Sequence, residues 1–287
     1  MVALNFITKY RIEKLYDVDC FICGFAKTTD VQRPSYPSYP SLRMTQRERS
    51  HVAIHVNLFN VLSSMFYLQF SISASLLYTT VTMVITHHGG QSFKVSFGNT
   101  TLAFDPVSKQ SKLDSTKFGS DVAFISMNHV DFNGSDQVAH SSKQPFVVAG
   151  PGEYEIGDVV ARGYGVKTTY DKVERYNTIY QVKLEDMNMV FLGAISSSEI
   201  DPKILGEFGD VDILFVPVGG GDVLEVPQAA KLALKLEAKL IIPMHYDKTA
   251  LTAFLKEMGT SVSPVDKITL KKKDVNEMEG EVMVLSV

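Results

Sequence analysis

The chain has 287 residues, a formal net charge of −4 and 45% apolar residues, which is enough for one sizeable core and ordinary for a globular protein. The charge is uneven: residues 1–82 carry eight basic and five acidic side chains, residues 83–287 twenty and twenty-seven. The larger part therefore lacks the basic face that a phosphate backbone demands, which excludes nucleases and nucleic-acid-binding modules.

Cys20 and Cys23 are the two thiols, so no disulfide, cluster or thiol nucleophile can arise after them. With no second pair and no βαβ pattern around it, this Cys-x-x-Cys reads as chance spacing, and the thiol-poor remainder fits a reducing, cytoplasmic setting. Pro34, Pro37 and Pro40, followed by Arg43, Arg47 and Arg49, read as a linker. No Lys, Arg, Asp or Glu occurs from Ser50 to Phe93, and residues 58–85 are apolar enough to weigh as a membrane span. Asn60, Gln69 and a run of Ser and Thr dilute that span. Two readings stay open for residues 1–82: a disordered or anchoring extension, or sequence upstream of a start at Met83. The folded domain is expected over 83–287.

From Met83 onward the pattern is regular. Val84-Ile85-Thr86 opens a strand, and Phe93–Phe97 and Thr101–Phe104 form a hairpin across Gly98-Asn99. Strands are predicted at Val122–Ser126, Pro145–Ala149 and Val159–Gly163, with another hairpin from Thr178–Leu184 and Asn188–Leu192. The period then changes. Asp212–Val216 and Leu240–Ile242 read as buried strands, and Pro227–Leu236 and Lys248–Met258 as helices, the second ending at Gly259. Strands first and strand–helix alternation later predict an α/β fold, two sheets faced by helices in four layers, αββα.

Several segments in order along the chain carry a resemblance: His87-His88-Gly89-Gly90-Gln91-Ser92, Phe104-Asp105-Pro106, Met127 to Asn133, Leu192-Gly193-Ala194, Val218 to Gly221, and Pro243-Met244-His245. Together they resemble the metallo-β-lactamase superfamily, in the branch of metal-dependent hydrolases related to L-ascorbate-6-phosphate lactonase. The resemblance implies the αββα sandwich and a site where one or two metal ions polarise an oxygen and activate water. The loop 126–133 echoes the family pattern H-x-H-x-D-H, of which His129 and Asp131 remain, and His245 matches the histidine before the last helix. Met127 and Phe132 stand at the other two loop histidines, and Ala194 stands where the bridging carboxylate belongs.

The resemblance thus implies loss of the two-metal site. What survives, His129, Asp131 and His245, is a ligand set for one divalent ion, Zn or Mn, or for none, with Glu153 as a further donor and Asp131 as general base. Gly219, Gly220 and Gly221 are candidates for holding an anionic substrate through their amides, or a plain turn. His87 and His88, adjacent on a strand, point to opposite faces and match no family ligand. Two functions follow as expectations. One is a single-metal hydrolase of a small anionic ester, lactone or phosphate. The other is a catalytically silent domain that binds a small molecule or a protein partner. Oligomeric state is not legible.

Overall fold

The computed structural model describes residues 82–140 and 144–287. The linker, Cys20 and Cys23, and most of the apolar segment 58–85 lie outside the described residues. Met83–Ile85, the end of that segment, belongs to a β-strand, and no helix among the described residues is long and apolar enough to cross a membrane.

The first strands are β1 (Met83–His87), β2 (Phe93–Phe97), β3 (Thr100–Phe104), β4 (Val122–Phe124) and β5 (Phe146–Val148). Next come β6 (Gly152–Ile156), β7 (Val159–Tyr170), β8 (Val173–Leu184) and β9 (Met187–Phe191). The remainder alternates: α1 (Pro202–Glu207), β10 (Ile213–Pro217), α2 (Val226–Lys235), β11 (Leu240–Met244), α3 (Lys248–Glu257), β12 (Ile268–Leu270), α4 (Lys272–Asn276) and β13 (Glu281–Val282). They form a six-stranded sheet ordered β12-β1-β2-β3-β4-β5 and a seven-stranded sheet ordered β13-β11-β10-β9-β8-β7-β6. Strands β9, β10, β11 and β13 run parallel, joined by helical crossovers, whereas β6 to β9 form an antiparallel meander.

Alternation decides which face each strand buries. Met83 and Ile85 of β1 point inward with none of their surface exposed, joined by Phe93, Val95, Leu102, Phe104 and Phe124 from the same sheet. They meet Tyr180, Val182, Met189, Phe191, Ile213 and Phe215 of the other sheet, each fully buried side chain contributing about 1.5–3 kcal/mol. The central strands β9, β10 and β11 are buried along their whole length. Their second face packs on Ala229, Ala230, Leu232 and Ala233 of α2 and Phe254 of α3. Pro227 opens α2, and the Asp247 carboxylate caps α3 by accepting from the Ala250 amide at 2.7 Å. On the outer face of the six-stranded sheet, Ala103 and Ala123 pack on Phe118 and on Val138 of the 3-10 turn Ser135–Val138. Among the described residues that fourth layer is this turn and its loops.

Asp212, just before β10, is a buried carboxylate with three cationic or amide partners. Lys239 Nζ donates to it at 2.8 Å, Lys272 Nζ at 2.5 Å and the Asn188 amide at 2.9 Å. Burial alone would raise this carboxyl, but the two ammonium groups and the amide outweigh it and hold the pKa below the usual range. The cluster bolts α4 to the start of the parallel strands.

Candidate functional site

Five segments meet at the opposite end of these strands. They are the loop 126–133 after β4, Gly193-Ala194 after β9, the turn 218–225 after β10, His245 after β11, and the tip of the β7–β8 hairpin. The loop folds on itself through the His129 amide to Met127 O and the Phe132 and Asn133 amides to His129 O, all at 2.9 Å. Buried Asn177 of β8 places the second segment, donating to Leu192 O and accepting from the Ala194 amide, both at 2.9 Å. Gly193 is required there: it sits at φ +64°, and a Cβ would lie 2.4 Å from Asn177 Oδ1. At the hairpin tip Asp171 and Lys172 both take positive φ, the geometry of a two-residue turn that keeps the strands' twist and aims Tyr170 back into the fold.

Met127, Phe132 and Ala194 converge with Tyr170 and Val223 in one buried cluster, none of them more than 5% exposed. The three positions at which the sequence resemblance implies lost ligands therefore touch a common apolar plug. Two rings pack against both surviving histidines. Phe132 lies 5.9 Å from His129 and 6.3 Å from His245 between centroids, and Tyr170 lies 4.9 Å and 5.9 Å from the same two.

Most of the polar groups have partners within the fold, with the buried Gln91 Oε1 left without one. Asp131 accepts from the Tyr170 hydroxyl at 3.0 Å on one oxygen and from the Ser111 hydroxyl on the other. His129 Nε2 lies 3.0 Å from Asp171 Oδ2, while its Nδ1 accepts from the Asp131 amide at 3.2 Å. This network puts the proton on Nε2, so the 3.4 Å approach of Nδ1 to Asp131 Oδ2 is proximity and not a hydrogen bond. The Asp171 amide in turn donates to Asp222. His245, at φ +50°, accepts on Nδ1 from Gln91 Nε2 at 2.9 Å. Burial lowers its pKa, with Asp131 and Asp222 pulling the other way.

A divalent ion does not fit this arrangement. Among the described residues no three His, Cys, Asp or Glu side chains are grouped so as to hold a metal. The expected set His129, Asp131 and His245 is thus not assembled: His129 is tied up at both nitrogens, and Asp131 has its oxygens on hydroxyl donors. The role of Asp131 as general base meets the same obstacle. Glu153 is not part of the site; it lies on edge strand β6, largely exposed, with Arg162 Nε at 3.3 Å. Gly219 to Gly221 do not present an anion cradle either. The Gly220 amide donates to Leu224 O and the Gly221 amide to the carboxylate of Glu225, so the turn supplies its own acceptors. His87 stacks on Phe93 at 4.6 Å while His88 bonds Thr86 and Thr116 on the other side, as neighbours on a strand do. Ser111 and Asp171 carried no motif or periodicity that pointed to them, Gln91 lay in a segment of the resemblance without being read as a site residue, and the weak alternation through Tyr170 was not read.

A family profile described as "Beta-lactamase superfamily domain" matches residues 84–245, more than half of the chain. The chain belongs to this superfamily. A UPF0173 metal-dependent hydrolase of Listeria monocytogenes is 27% identical, the match covering 60% of this chain and 88% of the relative. The crystal structure of a candidate Zn-dependent hydrolase of the metallo-β-lactamase superfamily from Thermotoga maritima superposes with a TM-score of 0.58. It is also 27% identical, and the match covers 71% of this chain and 98% of that one. A candidate metal-dependent hydrolase from Parabacteroides distasonis, 20% identical with a TM-score of 0.51, covering 63% and 91%, shares the fold. The metallo-β-lactamase fold is confirmed, and these relatives imply a divalent metal that the donors of this chain do not accommodate.

Asp105, at the end of β3, anchors the start of the loop by accepting from the Ser126 amide at 2.7 Å and its hydroxyl at 2.6 Å. Complete burial pushes its carboxyl up to about 7, with the two Ser126 donors opposing. The unfolded chain releases this proton near 4 and the folded chain near 7, so stability falls as pH rises through that window, by up to about 4 kcal/mol. Urea unfolding at pH 5 and pH 8 checks this. The native chain loses more stability between the two than Asp105→Asn, and the buried histidines, present in both, cancel in the difference. Equal losses contradict it.

Proposed function

We propose that this chain is a metallo-β-lactamase-fold protein that works as a metal-free binding domain for a small molecule or a protein partner rather than as a hydrolase. A cytoplasmic location is part of this reading, supported by the lack of thiols after Cys23. The observation that carries it is the plug: Met127, Phe132 and Ala194, with Tyr170 and Val223, are buried against one another where ligands would have to stand. Once an ion is gone, unpaired imidazoles and carboxylates in a closed cleft cost stability, and apolar side chains remove that cost.

Elemental analysis tests the reading. The chain is dialysed against Zn or Mn, freed of loose ions, and assayed on lactone and phosphate-ester substrates. Substoichiometric metal and no turnover are expected, with His245→Ala indistinguishable from the native chain. One ion per chain, with hydrolysis abolished by a chelator, overturns it.

A further inference from the structure

Tyr170 enters the cleft from outside it. It is the last residue of β7, beside the exposed turn Asp171-Lys172, while the walls around its ring come from other segments: Met127, His129 and Phe132 from the loop, Val223 and His245 from the turns after β10 and β11. Three rings meet its ring edge-on, His129 at 4.9 Å, Phe132 at 5.0 Å and His245 at 5.9 Å. Its hydroxyl reaches the one carboxylate oxygen of Asp131 that Ser111 does not take. Burial, followed by the nearby Asp131 charge, raises the phenol's pKa and keeps it a donor. An aromatic wall with a single aimed acceptor at its end is the recognition pattern for a phenol.

We propose that the space bounded by His129, Phe132, His245 and Asp131 is a phenol-binding cage of which Tyr170 is the built-in occupant, and that the ligand class it takes when Tyr170 is absent or withdrawn is a monocyclic phenol. The apolar wall supplies affinity without preference, because any benzene-sized ring fills it. Asp131 supplies the selectivity: with toluene in the cage this carboxylate loses the donor that Tyr170 provides. A dry apolar cavity of side-chain size, left by truncation, is known to take up a small aromatic molecule.

The inference deepens the reading of the cleft as a metal-free binding site, and the two fail separately, since bound metal is read on the native chain and phenol binding on a variant kept in chelator. Tyr170→Ala is titrated calorimetrically with phenol and with toluene, and its melting temperature is followed with each. The expected result is saturable phenol binding about tenfold or more tighter than toluene, with a rise in melting temperature much larger than in the native chain. In Tyr170→Ala/Asp131→Ala the two ligands become equal. If Tyr170→Ala does not fold alone, saturating phenol restores its near-UV circular dichroism. Equal binding of phenol and toluene by Tyr170→Ala, absence of saturable binding, or a variant unfolded with and without phenol overturns the proposal.

Discussion

Met127→His/Phe132→His/Ala194→Asp, which restores the ligand types of the family pattern, is expected to unfold with about 4 kcal/mol or more less stability than the native chain when metal is withheld. All three side chains lie in one cluster and are at most 3% exposed, so the substitutions bury two imidazoles and a carboxylate among apolar neighbours and away from water. Zinc then raises the melting temperature of the variant by mass action on the folded state. Chelator and zinc titrations followed by thermal unfolding make the measurement. A variant as stable as the native chain without metal shows that the cluster is not an apolar plug.

Asp212→Ala is expected to cost about 3–5 kcal/mol, a drop in melting temperature on the order of 10 °C. The Asp212 side chain is 2% exposed and is the shared anion of Lys239 and Lys272, so its removal leaves two ammonium groups facing each other across the vacated space. The sign with pH follows from a lowered carboxylate pKa: the contribution is present above the unfolded value near 4 and is lost as pH falls through the folded one. Urea unfolding at pH 7 and pH 3 should show the native and substituted chains far apart at the first and closer by up to about 1 kcal/mol at the second. A loss at pH 7 below about 1 kcal/mol would mean the cluster is only a surface ion pair.

The strands that line the inter-sheet core were legible because their period is clean. Phe93–Phe97 was predicted to the residue, and α2 and α3 came within a residue at each end because Pro227, Asp247 and Gly259 mark their limits. The β7–β8 hairpin was read too short, as Val159–Gly163 and Thr178–Leu184. Its outer half, from Tyr164 to Tyr176, is mostly half-exposed or exposed; Tyr164, Val166, Thr168 and Tyr170 alternate, but glycine and threonine dilute the pattern, and pairing across the Asp171-Lys172 turn carries the hairpin into the exposed stretch Val173 to Tyr176. Strand β6 was missed for the same reason, since it exposes Glu153 and Glu155 on an edge.

The site divided along a different line. Met127, Phe132 and Ala194 could be singled out because the resemblance implies ligands at their positions, and the structure unites them in a single cluster. What fills the gap could not be read. Tyr170 lies 38 residues beyond Phe132 in sequence, on the same strand face as buried Thr168 but next to the polar Thr169, Asp171 and Lys172. Of the residues that hydrogen-bond His129, Asp131 and His245, the ligands that the resemblance implies, Gln91 lies in one of its segments and Ser111 and Asp171 in none.

The measurement that bears most directly on the loss of the metal centre is the melting temperature of the native chain, first stripped with chelator and then titrated with zinc or manganese to saturation. The same transition is expected throughout, because no donor set in the folded cleft binds the ion more tightly than the unfolded chain does. A saturable rise with one ion per chain, abolished by His245→Ala, would contradict it.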